Sequence, residues 1–290
     1  MTEPLTSMLD VPGATLAYDV RPVAGDAIPL VLAASPMDAS GFTTLASLFD
    51  DRTVVTYDPR GTGRGTRIDT SMQSTPTLHA DDLYRLLTEL DMGPVDLFAT
   101  SGGAVNALEF VSRYPEQVRT LVAHEPPLVE LLPDRAHAEA VRDDIHDTYH
   151  RSGAGPAMAK FIALISYEGE LTADYLDRPA PNPADFGLPT EDDGSRDDAL
   201  LSQNWLSCTG YRPDFDALAK APTRIVVAGG RESTRQWCGR TAAALAARLG
   251  TDLVLLPGDH GGFMGEEMGM PGDPEAFAVT LREVLEPSRV

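Results

Sequence analysis

An apolar run that ends abruptly in a serine among small residues constrains this chain more than any other feature. Residues 95–99, Val-Asp-Leu-Phe-Ala, read as a buried strand. Thr100-Ser101-Gly102-Gly103 reads as a tight turn, and a helix starts at once over 104–114. A serine on such a bend takes up a strained backbone with φ above zero, and its neighbours must be small so that strand and helix can approach. Ala99, Gly102 and Gly103 meet that demand. The helix N-terminus aims N–H groups and a partial positive charge at the hydroxyl, which favours a developing oxyanion.

The rest of the chain supplies the sheet such a bend needs. Strand-like runs at 29–34, 53–57 and 118–124 alternate with helix-like stretches at 42–49, 75–92 and 104–114. In the second of these helices Leu78, Leu83, Leu86, Leu87 and Leu90 fall near helical spacing, and Thr75 before Pro76 suits an N-cap. Short β and α elements in alternation predict a mostly parallel sheet covered by helices on both faces. The pattern stops at Glu125 and resumes near Thr223, with a strand at 224–228, an Ala/Leu helix at 239–249 ending at Gly250, a last strand at 253–256 and a last helix at 275–285. Between them, 134–150 and 156–165 have helical patterning, and 179–198 is a loop rich in proline and aspartate. Some 95 residues are far more than a connection of roughly 2–6 needs. The expectation is therefore a core of 1–125 and 221–290, carrying a helical cap inserted at 126–220.

On these residues the chain resembles the α/β-hydrolase superfamily. Its nucleophile turn, G-x-S-x-G, reads here Ala99-Thr100-Ser101-Gly102-Gly103, with alanine in place of the first glycine. Tyr57-Asp58-Pro59-Arg60-Gly61 and Gly258-Asp259-His260-Gly261-Gly262 match it too. The resemblance implies the α/β-hydrolase fold, a serine nucleophile at Ser101, a histidine after the last core strand, and no cofactor.

Of the six histidines, His260 alone follows a strand inside a Gly-rich loop. Loops at the carboxyl ends of parallel strands are where such sheets place their catalytic groups. An imidazole titrating near neutrality can take the serine proton and hand it to the leaving group. His137, His146 and His150 fall in the insertion, and His79 lies within a helix. Two glutamates compete to orient His260. Glu232 follows the strand at 224–228, where the superfamily most often keeps its acid. Glu125 ends the strand at 118–124, a position at which some haloalkane dehalogenases and the zearalenone lactonases carry a glutamate. Pro126 and Pro127 would end that strand and fix Glu125 at its tip, and a carboxylate buried there calls for an imidazolium partner. Glu125 is preferred. His124 is expected on the opposite face of the strand, as a structural residue.

One oxyanion donor is expected to be the N–H of Gly102, and the other to come from Ala33-Ala34-Ser35-Pro36-Met37. Ser35 matches the usual position; Pro36 has no N–H, so Met37 is the second candidate. In the insertion, Trp205, Tyr211, Phe161, Ile162 and Met158 could line an apolar pocket over Ser101, although residues at such spacing more often form plain core. The Gly61–Gly65 run lacks a following helix, Ile68 to Ser74 being polar and irregular, so a phosphate-binding loop is not expected.

Composition narrows the function further. With 44 acidic against 23 basic residues, the net charge of −21 disfavours nucleic acid and anionic membrane surfaces as partners. Two cysteines, Cys208 and Cys238, form neither a disulfide framework nor a common zinc pattern, so no metal is expected. The first residues lack a signal-like apolar run, and no stretch is long and apolar enough to span a membrane, which points to a cytoplasmic protein. The expected partner is a small-molecule ester or lactone, cleaved through an acyl-enzyme on Ser101. A cofactor-free perhydrolase or C–C bond hydrolase resembles the same layout, and a hydrolase-fold protein that only binds a small apolar ligand is the alternative outside enzymes. Serine at position 101 argues against epoxide or haloalkane hydrolysis.

Overall fold

A computed structural model describes residues 3–68, 74–269 and 272–286. The sheet begins with an antiparallel pair, β1 (Leu5–Val11) and β2 (Ala14–Arg21). It continues with β3 (Leu30–Ala33), β4 (Val54–Asp58), the two-residue β5 (Thr66–Arg67) against β2, β6 (Val95–Thr100), β7 (Val118–His124), β8 (Arg224–Gly230) and β9 (Val254–Leu256). The order across the sheet is β1-β2-β4-β3-β6-β7-β8-β9, parallel from β4 onward. The parallel strands are the runs expected from the sequence. The hairpin β1–β2 is not among those expectations, because β1 is an edge strand whose outward positions are mostly exposed and carry little apolar periodicity.

Strand alternation divides the core. Leu97 and Ala99 of β6 face one layer, against Leu83, Leu86 and Leu87 of α2 (Pro76–Glu89), Val105 and Leu108 of α3 (Gly102–Arg113), and Leu245 of α8 (Trp237–Leu249). Phe98 faces the other, against Leu45 of α1 (Thr43–Leu48) and Phe277 and Leu281 of α9 (Pro274–Leu285). The α2 helix starts as expected, Thr75 accepting from the Leu78 N–H with Pro76 in the first turn.

Between β7 and β8 lie α4 (Arg135–Ser152), α5 (Ala154–Ile165), a π-helical turn (Ala199–Asn204) that runs into α6 (Trp205–Thr209), and α7 (Phe215–Lys220). Their apolar faces share a separate cluster, with Ile145, Tyr149, Leu164 and Trp205 packed against Trp237 at the start of α8. The final turn of this segment leaves the cluster: Leu218 and Phe215 of α7 pack into the main core beside α3.

The Gly-rich loop after β4 is a clamp of charges. Asp58 accepts from the N–H of Ala39 and from the N–H and guanidinium of Arg64, and Arg60 forks onto Asp82 at 2.6 and 2.7 Å. Of the irregular stretch Ile68 to Ser74, residues 69–73 lie outside the described ones. Among the described residues no helix is long and apolar enough to cross a membrane.

Candidate active site

The site grows from strand ends held at one level. In the register across the sheet, Thr100 pairs with His124 and His124 with Ala228. One residue further on, the chain turns in two of these strands: Ser101 has φ 55° and Glu125 has φ 50°. Only one other non-glycine among the described residues, Asp91, has a positive φ. Left-handed backbone at such residues costs about 1–3 kcal/mol each and persists only where the surroundings enforce it. The Ser101 N–H donates to His124 O and the Glu125 N–H to Ala228 O, both at 3.0 Å, so the ladder runs on to the bend itself. Pro126 and Pro127 then end it.

Small residues make room for the turn, as the sequence requires. A Cβ on Gly102 would lie 2.6 Å from Ser35 O, and one on Gly103 would lie 2.5 Å from the Ala34 Cα. Ala99 is fully buried in the main core, so a methyl group is tolerated where the motif usually has glycine.

The Glu125 carboxylate is fully buried. Its Oε2 lies 2.6 Å from His260 Nδ1, and its Oε1 accepts from the Gly230 N–H at 2.8 Å and from the Ser233 hydroxyl. Burial alone would push the Glu125 carboxyl up; the His260 hydrogen bond, then the neighbouring imidazoles and Ser233, bring it down to about 2. The acid is thus ionised near neutrality, Nδ1 carries the proton, and Nε2 is left to accept one. Desolvation pulls His260 down, but the hydrogen bond and charge of Glu125, with Asp259 behind, hold its pKa above the ordinary imidazole value. The His260 side chain is 36% exposed, opening into the cavity that Ser101 also lines. No hydrogen bond joins the two side chains among the described contacts; such bonds commonly tighten only with substrate present.

Of the two competing glutamates, the structure brings Glu125 to His260. Glu232 is exposed, one residue before the Ser233 that donates to Glu125. His124 is buried, its Nδ1 2.9 Å from Thr100 Oγ1 and its ring stacked on His260 at 5.9 Å; burial holds it neutral, at about 4.

Gly102 and Ser35 line the cavity. Met37 does not: it packs against the second core layer, its Sδ 2.3 Å from where a Cβ on Gly41 would sit. Of the proposed pocket residues, Trp205 and Phe161 line the cavity, ring to ring at 5.4 Å. Met158 packs into the cluster of the insertion instead, and the Tyr211 hydroxyl donates to Glu109 on α3 while its ring joins the main core, so neither is a wall residue. The wall also holds residues that sequence reasoning passed over, among them Asn204, Cys208, Trp237 and Cys238. Trp237 had a signal: it follows the loop after a core strand, where parallel sheets put their sites. Asn204 had none, because it depends on the π-helical turn that carries it.

Comparison with known proteins agrees with this architecture. A family profile described as alpha/beta hydrolase fold matches residues 34–180. The chain is 33% identical over 262 residues to an uncharacterized hydrolase, YraK, of Bacillus subtilis (strain 168), covering 88% of this chain and 89% of that protein. It is 28% identical to a 2-(acetamidomethylene)succinate hydrolase of Mesorhizobium japonicum, over 73% of each. Among solved structures, a thermophilic esterase from Thermogutta terrifontis superimposes with a TM-score of 0.65 at 19% identity, over 98% of both chains. An enol-lactonase from Burkholderia xenovorans LB400 does so with a TM-score of 0.65 at 17% identity, over 96% of this chain and 99% of that one. With its sheet order, its strained serine turn and these relatives, the chain belongs to the alpha/beta hydrolase family.

Proposed function

We propose that the protein is a serine hydrolase that cleaves a carboxylic ester or lactone through an acyl-enzyme on Ser101. The observation that carries this reading is the Glu125 Oε2 to His260 Nδ1 contact of 2.6 Å, on an imidazole that shares its cavity with the strained serine. His260 Nε2 takes the Ser101 proton as Oγ attacks the carbonyl, then returns it to the leaving alcohol; a water, deprotonated the same way, cleaves the acyl-enzyme. Glu125 stays ionised, holds the tautomer and stabilises the imidazolium. The Gly102 N–H, first in α3, and the Ser35 N–H beside it are the proposed oxyanion donors, each worth about 3 kcal/mol of barrier in sites of this kind. Segment 126–220 acts as the cap, supplying Phe161 and Trp205 to the wall above Ser101.

The test is turnover of p-nitrophenyl butyrate with and without Ser101. The Ser101→Ala variant is expected to lose activity at least a thousandfold while its melting temperature stays within about 2 °C. A fluorophosphonate is expected to add mass at Ser101. Wild-type turnover in that variant would remove the nucleophile from the mechanism. Stoichiometric binding of an ester without product release would favour the ligand-binding reading.

A further inference from the structure

The walls of the catalytic cavity restrict what can enter it. The cavity volume is about 50 Å³, against about 310 Å³ in the groove between α4, α5 and the 175–181 segment. That larger groove carries Lys160 and Arg178; among the described residues, no Lys, Arg, Asp or Glu lines the catalytic cavity. Its walls include Phe161, Ile165, Leu200, Trp205 and Trp237, and the Glu125 carboxylate stands behind His260. An acyl group bearing its own carboxylate would be desolvated here without a cation.

The two indoles of the wall differ. They stack at 6.3 Å with 29° between planes. Trp205 Nε1–H donates to Arg142 O at 2.9 Å, whereas Trp237 Nε1 is buried and meets no acceptor among the described residues. Trp237 is 3% exposed and sits on a core helix, so its ring is held in place. A buried N–H left without an acceptor is uncommon enough to need a partner.

Resting on the ester-hydrolase reading, we infer that the site takes compact, uncharged acyl groups whose non-reacting part carries a hydrogen-bond acceptor for Trp237 Nε1–H, and rejects acyl groups with a second carboxylate. Trp237 is in this account a specificity-determining residue that touches substrate.

Three ethyl esters with near-isosteric acyl groups test it: ethyl 4-oxopentanoate, ethyl 4-methylpentanoate and monoethyl succinate, with acid release followed by chromatography on the full-length protein. The oxopentanoate is expected to exceed the succinate at least a hundredfold in kcat/KM, since the succinate's carboxylate would be buried unpaired. Trp237→Phe keeps the ring and removes the N–H. It is expected to lower kcat/KM about fivefold to tenfold more for the oxopentanoate than for the methylpentanoate, the size of one neutral hydrogen bond. Succinate turnover within tenfold of the oxopentanoate overturns the exclusion of charge. Equal losses on both neutral esters in Trp237→Phe overturn the role of the N–H. If none of the three is hydrolysed while a fluorophosphonate still labels Ser101, the substrate class is wrong; if the labelling also fails, the ester-hydrolase reading itself fails.

Discussion

Where β6, β7 and β8 end, the proposed catalytic groups rest on backbone and on one another: Glu125 takes hydrogen bonds from His260, Gly230 and Ser233, and Ser101 is pinned by the His124 carbonyl. Across the cavity, the segment between β7 and β8 and the start of α8 offer mostly rings and aliphatic side chains, with the Trp237 N–H unsatisfied among the described residues. The first region is over-determined by the sheet and has little freedom to vary. The second is a surface of side chains carried by α5, the π-helical turn, α6 and the start of α8. On the proposed mechanism, chemistry and selectivity fall to different parts of the chain.

The sharpest way to break this division is at the acid. Glu125→Gln keeps the shape but favours the wrong imidazole tautomer and removes the charge facing the imidazolium. A loss of about ten-thousandfold in kcat is expected. Glu232→Gln is expected to stay within twofold, because that side chain is exposed and outside the cavity. A reversed ranking in steady-state assays of the two variants would hand the orienting role to the loop after β8.

Acid pH strikes the same region, and the signs can be worked out. The proposed mechanism needs neutral His260, whose pKa lies above the ordinary 6.5, so the rate is expected to rise with pH and level off only beyond that value. Between pH 6.5 and 4.5, kcat/KM is expected to fall about a hundredfold, tenfold per unit. Stability follows a different course. The raised pKa of His260 contributes stability that is full below about 6.5 and lost as pH climbs through the folded value. Glu125, lowered to about 2 from 4.5, contributes stability present above 4.5 and lost as pH falls towards 2. His124 and His79, held neutral at about 4 and about 3 chiefly by burial, penalise the fold as pH drops below 6.5. Circular dichroism at each pH separates the two effects. A rate flat from pH 6.5 to 4.5 in folded protein would exclude His260 as the base.

A third, smaller loss is expected at Ser233, whose hydroxyl is one of the three donors to Glu125. Ser233→Ala leaves the buried carboxylate short of a partner, at about 1.5–3 kcal/mol for a bond to a charged group, and a roughly tenfold drop in kcat is expected. An unchanged rate would mean that His260 and Gly230 alone hold the carboxylate in place.

How far the sequence anticipates this arrangement depends on which forces fix each residue. Ser101 and its small neighbours are legible because a strand meeting a helix at once is a local constraint, written in consecutive residues. Glu125 is legible from Pro126 and Pro127, which have to end β7 there. His124 follows the period of two only in part: it does face away into the second layer, but the positive φ at Glu125 swings the carboxylate round so that both residues lie against the His260 ring. The helical segment between β7 and β8 is visible in the sequence as a stretch, yet not in its detail. Helical spacing marks Met158 and Tyr211 as apolar-faced, and the faces do pack, into the cluster of the insertion and the main core respectively. Which face overlooks the serine depends on how α4 to α6 dock, a long-range matter that no local pattern encodes.

The smallest expected effect lies where the two regions touch. Asn204, carried into the cavity wall by the π-helical turn, accepts from Ser35 Oγ at 3.0 Å through Oδ1, and its Nδ2 is held by Ala199 O at 2.8 Å. Through this link the insertion braces the β3 loop whose Ser35 N–H is the proposed oxyanion donor. Ser35→Ala keeps that N–H and removes only the hydroxyl; Asn204→Ala removes the acceptor. Each is expected to lower kcat about threefold, the lower end of a neutral hydrogen bond, and the double variant no further, because both single changes cut the same contact. Additive losses in the double-mutant cycle would show the two residues acting separately, and the insertion would then be a lid over the site with no hold on the oxyanion loop.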